Sequence, residues 1–139
     1  MRKIGIVGAG VVGTAVGIIL DSKGYEITGV YDINPESTRQ LVERVGAIEC
    51  ASLREVAERA ETLFVTTSDS AIGKVVEDLA KEGGFFEGQL VVHMSGALTS
   101  EVLEPAVAFG ALPVSIHPMQ SFATAEQAIK NLPGSVFTI

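Results

Sequence analysis

Residues 3–13 read KIGIVGAGVVG, and this stretch decides the fold of the chain. Its first part, Lys3 to Val7, is short, rich in β-branched side chains and followed by glycine, which is typical of a buried strand. Its second part, Gly8 to Gly13, holds three glycines in the spacing G-x-G-x-x-G, and an apolar helical periodicity continues from Val11 to Lys23. The stretch therefore predicts a strand, a tight turn and a helix in direct succession.

The rest of the chain alternates between strand and helix patterns. Besides residues 3–7, strands are predicted over residues 26–31, 47–49, 62–66, 90–93, 111–116 and 136–139. Helices are predicted over residues 11–23, 35–45, 52–59, 69–81, 99–109 and 125–131, and Pro105 is expected to break or kink its helix. Strands separated by helices give a parallel sheet that is covered on both faces. The pattern predicts an α/β fold with a doubly wound, mostly parallel Rossmann sheet and an extra edge strand at the C-terminus.

The glycine spacing predicts a binding site for the pyrophosphate of a dinucleotide. Gly8 permits the tight turn, Gly10 lets a pyrophosphate approach the backbone, and Gly13 lets the helix pack on the strand. The N-terminus of the helix then presents backbone N–H groups, which bind phosphate without a basic side chain. The alternative is a strand-to-helix turn that binds nothing. The predicted pyrophosphate site comprises Gly8, Ala9, Gly10, Val11, Val12 and Gly13.

An acidic residue, Asp32, follows Gly13 by 19 positions and comes directly after the second predicted strand. A carboxylate there can accept hydrogen bonds from the ribose hydroxyls of adenosine and repels the 2′-phosphate of NADP. We predict NAD as the cofactor, with NADP as the alternative because Arg39 lies in the next predicted helix. The other interpretation of Asp32 is that it, or Asn34, caps the helix that begins at Pro35.

A polar turn follows the fourth predicted strand. Its residues, Thr66, Thr67, Ser68 and Asp69, stand at the carboxyl end of that strand, where ligands bind in open α/β sheets. In one interpretation Ser68 or Asp69 only caps the following helix, and in the other the turn also contacts a ribose. We include these residues in the predicted cofactor site.

The composition argues against several classes of partner. The net charge of -7 and the pI near 4.7 oppose binding to a nucleic acid or to an anionic membrane. One cysteine, Cys50, and two histidines match no spacing of metal ligands, so we predict no metal site. The apolar N-terminus imitates a signal peptide, but its glycines oppose that interpretation. A single cysteine fits the cytoplasm, where we expect the domain to bind small molecules.

Both histidines stand in polar clusters that follow predicted strands. Residues 91–98 read VVHMSGAL and residues 115–122 read SIHPMQSF. With the glycine fingerprint, these clusters resemble a bacterial two-domain family that joins a Rossmann-like domain to a helical domain of unknown function (number 2520). That family belongs to the wider 6-phosphogluconate dehydrogenase-like superfamily. The resemblance implies that His117 is catalytic and that Ser95 assists it, as the matching positions do in prephenate dehydrogenases.

The resemblance also implies a function and a longer protein. The implied function is an NAD(P)-dependent oxidoreductase that transfers hydride to or from a small alcohol, keto acid or imine. Residues 120–122 differ from the prephenate pattern, which leaves the substrate open. We expect residues 1–139 to form the NAD(P)-binding domain, and a further helical domain to bind substrate and form a homodimer. The alternative is a non-catalytic NAD(H)-sensing regulatory domain, which would give no role to Ser95 or His117.

Overall fold

The computed structural model describes residues 2–118, 124–134 and 137–138. The strands of the main sheet, β1 to β6, are Lys3–Val7, Glu26–Tyr31, Ile48–Glu49, Thr62–Val65, Leu90–His93 and Leu112–Ser115. The helices α1 to α6 are Val11–Ser22, Pro35–Val45, Leu53–Glu58, Asp69–Lys81, Glu104–Val107 and Ala125–Asn131. Two 3₁₀ segments, Ser100–Leu103 and Leu132–Gly134, precede α5 and follow α6.

The main sheet is parallel throughout and has the strand order β3-β2-β1-β4-β5-β6. The chain moves outward from β1 to β3 and then crosses to β4 on the other side of β1. In open sheets of this kind, ligands bind outside the carboxyl ends of the strands at the point where the order reverses. The predicted doubly wound α/β fold is confirmed, and its crevice lies beside Gly8 and Thr66.

Apolar side chains are buried on both faces of the sheet, because helices cover both faces. Successive side chains of a strand point to opposite faces, and Ile6 and Val7 accordingly belong to two different core clusters. Ile6 packs with residues of β2, α1 and α2, whereas Val7 packs with residues of β4, α3 and α4. This double packing holds the carboxyl end of β1, and hence the glycine turn, in a fixed place.

The later part of the chain refines the predictions. The helix expected over residues 99–109 is divided into a 3₁₀ segment and α5, with Pro105 in the first turn of α5. β6 is the edge strand of the main sheet on the C-terminal side. In a separate two-stranded sheet, β7 (His117–Pro118) pairs antiparallel with β8 (Phe137–Thr138). The rest of the expected strand 136–139, and residues 119–122 of the second polar cluster, lie outside the described residues.

Within the described ranges, no helix combines the length and the apolar character needed to cross a lipid bilayer.

Candidate functional site

The glycine turn between β1 and α1 is shaped by close approaches that exclude side chains. Gly8 has φ +96°, and a Cβ there would lie 2.6 Å from the Thr66 carbonyl carbon. A Cβ on Gly13 would collide with the Gly8 carbonyl oxygen. The Thr66 hydroxyl donates to that same oxygen at 2.8 Å and ties the turn to the end of β4. A Cβ on Gly10, in contrast, would meet no atom within 4 Å, so the space in front of its backbone is open.

The N-terminus of α1 differs from those of the other long helices in lacking any acidic or capping side chain. Its N-cap is Gly10, and no side chain caps its first turn. In α2 the Asn34 side chain accepts a hydrogen bond from the Glu36 amide, and Glu36 adds a negative charge. The first-turn amides of α1 and the positive end of its dipole are therefore available to an anion.

Asp32 connects the end of β2 to the glycine turn. Its Oδ2 accepts a hydrogen bond from the Ala9 amide at 2.7 Å, and its Oδ1 accepts one from the Asn34 amide at 2.9 Å. Of the two helix caps considered from sequence, the structure has Asn34 as the cap of α2 and not Asp32. The Asp32 carboxylate is half-buried and stands at the lip of a cavity.

This cavity, the Asp32 cavity, has a volume of about 520 Å³ and lies between the ends of β1 and β2 and helix α4. Its walls are mostly apolar, and they contain residues that were not predicted from the sequence, which are Tyr31, Ile33, Leu53, Ala71 and Val75. Ile33 is 90% exposed, although it is large and apolar. A large apolar residue directly after the acidic residue is a sequence signal that could have indicated this wall.

A second cavity, the Ser95 cavity, lies on the other side of the glycine turn and has a volume of about 270 Å³. Val11 and Val12 of α1 line it, as do Asp69, Ile72, Met94 and Ser95. Gly10 and the turn residues Thr66, Thr67 and Ser68 line both cavities. The structure thus brings the predicted glycine turn, Asp32, the 66–69 turn and Ser95 to one continuous crevice. Ile72 and Met94 were not identified from sequence.

The turn over residues 66–69 is not explained by helix capping through a side chain. Ser68 occupies the N-cap position of α4, but its hydroxyl makes no capping hydrogen bond. It lies instead 3.4 Å from the Ser70 hydroxyl and is exposed. The interpretation in which the Ser68 side chain caps the helix is therefore wrong, and Asp69 is the acidic residue in the first turn of α4.

His117, which follows β6, lies beside Gly96, which follows Ser95 at the carboxyl end of β5. A Cβ built on Gly96 would lie 3.0 Å from His117 Nδ1 and 3.2 Å from its Cε1, so the imidazole rests on the Gly96 backbone. Ser95 is 7% exposed, and its hydroxyl accepts a hydrogen bond from the Ala97 amide at 3.2 Å. Ser95 lines the Ser95 cavity, whereas His117 is half-buried and lines neither cavity.

The charges around the crevice are few. Lys74 and Asp78 line the Asp32 cavity and form an ion pair at 3.4 Å. Arg39 pairs with Glu36 at 3.1 Å on the surface of α2, rather than with Asp32. No cluster of three or more metal-binding side chains occurs in residues 2–118, 124–134 and 137–138. Cys50 lies outside the crevice, and burial, reinforced by Glu55, raises the pKa of its thiol to about 11, which keeps it protonated at neutral pH.

The fold and the glycine turn define a class: a doubly wound α/β domain with a dinucleotide-binding fingerprint at its switch point. The sequence model of the Rossmann-like domain family matches residues 1–118, and the chain belongs to this family.

Three comparisons relate the chain to oxidoreductases. It is 33% identical over 106 residues to L-aspartate dehydrogenase from Methanocaldococcus jannaschii, covering 74% of this chain and 39% of the relative. A Bacteroides fragilis structure, provisionally named an NADP oxidoreductase, superimposes with a TM-score of 0.75 at 29% identity, covering 90% of this chain and 46% of that one. Prephenate dehydrogenase from A. aeolicus, in complex with hydroxyphenyl propionate and NAD⁺, gives a TM-score of 0.76 at 19% identity, covering 99% and 49%. The chain thus spans less than half the length of each, and the last likeness shows the fold alone.

Proposed function

We propose that this chain is the cofactor-binding domain of an NAD-dependent oxidoreductase. The enzyme would move a hydride between the nicotinamide and a small alcohol, keto acid or imine. The observation that carries the proposal is the hydrogen bond between Asp32 Oδ2 and the Ala9 amide. It joins the acidic residue and the glycine turn at the lip of one crevice, which extends into a cavity on each side.

The residues of the crevice fit a dinucleotide from one end to the other. The pyrophosphate would lie on the first-turn amides of α1, in the open space in front of Gly10. The adenine would occupy the Asp32 cavity against Ile33, and its ribose hydroxyls would donate to Asp32. The nicotinamide side would then enter the Ser95 cavity.

The charge pattern favours NAD over NADP. A 2′-phosphate at the adenosine ribose would face the Asp32 carboxylate, and two like charges about 4 Å apart repel by roughly 4 kcal/mol at an effective dielectric constant near 20, and by less at an open rim. Two cations lie near enough to be considered against this repulsion, and both are paired: Arg39 with Glu36, and Lys74 of the Asp32 cavity with Asp78.

Chemistry at the Ser95 end would depend on two side chains. The bound cofactor supplies or accepts the hydride. His117 would exchange a proton with the oxygen or nitrogen of the substrate, since an imidazole can do so near neutral pH. The Ser95 hydroxyl would orient the substrate or His117. The polar clusters around these residues support membership of the two-domain family with the helical domain of unknown function 2520, whose second domain would complete the site and form the dimer.

A non-catalytic NAD(H)-sensing domain is the second candidate. The observation that favours it is that His117 lines neither cavity, although it contacts Gly96. The two candidates share the binding step and differ in chemistry.

Titration calorimetry of the chain with NADH, NADPH and ADP-ribose tests the binding step. We expect NADH to bind in the micromolar range and NADPH more weakly. Folded protein that produces no heat with any of these ligands would exclude both candidates. In the two-domain enzyme that we propose, His117→Ala should lower kcat by about 10²- to 10⁴-fold while NADH affinity is retained. An unchanged kcat would exclude His117 as the acid/base.

A further inference from the structure

His93 is the most deeply buried polar side chain next to the candidate site. It ends β5, an interior strand of the sheet, where it pairs in register with Val65 of β4 and Ser115 of β6. Its side chain has no solvent exposure. A buried imidazole is stable only when its ring nitrogens have hydrogen-bond partners, and both nitrogens of His93 have one.

The two partners fix the tautomer of His93. Nδ1 lies 3.1 Å from the Ser95 backbone nitrogen, whose N–H can only donate, so Nδ1 must be the acceptor. Nε2 lies 2.8 Å from the Thr99 carbonyl oxygen, which can only accept, so Nε2 must carry the proton. The neutral ring therefore bridges the two ends of the loop 95–99.

This bridge determines where the loop presents its side chains. The Ser95 backbone is held by His93, while the Ser95 hydroxyl accepts from the Ala97 amide and lines the Ser95 cavity. Gly96 comes next in the chain, and the His117 ring packs against the Gly96 backbone. A displacement of the Ser95 amide would therefore move both elements of the proposed chemistry.

We propose that His93 is a positioning residue for the nicotinamide side of the site. As the Nε2-protonated tautomer, His93 accepts a hydrogen bond from the Ser95 amide. This bond places Ser95 in the wall that a bound nicotinamide would contact. The inference rests on the proposed function, because it assigns the Ser95 cavity to the nicotinamide half of the cofactor. It gives His93 a role separate from proton transfer, for which it is too deeply buried.

Two conservative variants separate positioning from simple packing. In His93→Asn the amide oxygen can take the place of Nδ1 and accept from Ser95, while the bond to Thr99 is lost. In His93→Gln the amide nitrogen can take the place of Nε2 and donate to Thr99, while the bond to Ser95 is lost. Both variants remove ring volume from a buried position. If His93 only filled space, His93→Asn would impair the site at least as much as His93→Gln, because the shorter side chain leaves the larger void.

The test combines nuclear magnetic resonance with binding measurements on the whole chain. In the wild-type protein at neutral pH, the ring nitrogen shifts should report an Nε2-protonated tautomer, and the Ser95 amide should be protected from exchange. His93→Gln should lose the Ser95 protection and bind NADH about fivefold more weakly, the effect of one lost hydrogen bond. His93→Asn should stay within about twofold of wild type. ADP-ribose, which lacks the nicotinamide, should bind all three proteins equally.

Several results would overturn the inference. In the wild-type protein, an Nδ1-protonated or charged His93 ring, or an unprotected Ser95 amide, would contradict the bridge. This part of the test therefore remains valid even if neither variant folds. A loss of NADH affinity in His93→Asn that equals or exceeds the loss in His93→Gln would reduce the role of His93 to packing. Failure of the proposed function has a different signature: the wild-type protein would bind neither NADH nor ADP-ribose, and the positioning role would fall with it, whatever the tautomer.

Discussion

The crevice has two halves that are built differently on either side of the glycine turn. The Asp32 half is larger, has mostly apolar walls, and is defined by one acidic side chain that is hydrogen-bonded into the turn. The Ser95 half is smaller, and the backbone amide of Ser95 donates a hydrogen bond to the buried His93. If the crevice holds a dinucleotide, as we propose, affinity and cofactor choice would be set at Asp32, and chemistry would be set at Ser95.

Gly10 belongs to both halves, and its replacement should produce the largest effect. Gly10→Val should weaken NADH and ADP-ribose binding by about 100-fold or more, equivalent to roughly 3 kcal/mol, because the side chain would fill the space proposed for the pyrophosphate. Gly10 has φ -82° and no neighbour within 4 Å of a built Cβ, so the fold should tolerate the change. Calorimetry measures the affinities, and circular dichroism verifies the fold.

Gly10→Ala is the matched control, since it adds one methyl group at the same place. Its affinity should lie between those of wild type and Gly10→Val. Wild-type affinity in a folded Gly10→Val protein would show that the ligand does not approach this backbone.

Replacement of Asp32 should have the next largest effect on cofactor affinity, and it should act only in the Asp32 half of the crevice. Asp32→Ser removes the negative charge that faces the 2′ position and the acceptor for the Ala9 amide. We expect NADH to bind about tenfold more weakly and the ratio of NADPH to NADH affinity to rise by about tenfold, below the full Coulomb estimate because the carboxylate is half-exposed. Competition titrations with the two cofactors give this ratio.

Asp78→Ser is a suitable control for charge alone, because Asp78 lines the same cavity but pairs with Lys74. It should leave the ratio within about twofold of wild type. A wild-type protein that already prefers NADPH would contradict the assignment of Asp32.

The elements that sequence predicted well are those that depend on short-range rules. The boundaries of β1, β2, α2 and α4 agree with the structure, because their apolar periodicity is strong and turn residues flank them. The glycine turn follows from the spacing of its three glycines, because this turn needs a positive φ at Gly8 and no Cβ at Gly13. Asp32 was identified because the end of β2 lies at a fixed distance along the chain from such a turn.

The remaining features depend on contacts between distant segments. The apolar wall formed by Leu53 and Val75 joins α3 to α4, and single residues of that kind carry no motif. The pairing of β7 with β8 involves short segments whose periodicity is too brief to specify a partner. For His93, sequence could not distinguish a buried bridge from a catalytic side chain, because that difference lies in two backbone partners.

Ile33 tests whether the apolar wall of the Asp32 half contacts a ligand. Its side chain is 90% exposed, so Ile33→Ala should leave the melting temperature unchanged. If the adenine covers this side chain, NADH and ADP-ribose should both bind about fivefold more weakly, as expected for loss of a little more than one buried methylene equivalent.

Leu112→Ala provides the control, since Leu112 is 53% exposed on the edge strand β6 and lines neither half of the crevice. It should bind both ligands as wild type does. Unchanged affinity in Ile33→Ala would place the adenine elsewhere.

Arg39 should have the smallest effect, and this makes it the most selective test of how the Asp32 half chooses its cofactor. Arg39 is the cation in α2 that could approach a 2′-phosphate, but its guanidinium is paired with Glu36 at 3.1 Å and both side chains are more than half exposed. Such surface pairs contribute roughly 0.2–1 kcal/mol, so Arg39→Ala should change stability little and the NADPH-to-NADH affinity ratio by less than about twofold. Arg44→Ala, which removes a comparable surface pair with Glu126, serves as the reference for any general charge effect. If Arg39→Ala instead lowered NADPH affinity by about tenfold and left NADH unchanged, Arg39 would be the residue that recognises the phosphate. Arg39 would then leave Glu36 and pair with the 2′-phosphate of NADPH. This exchange would set the cofactor choice, and repulsion by Asp32 would be secondary.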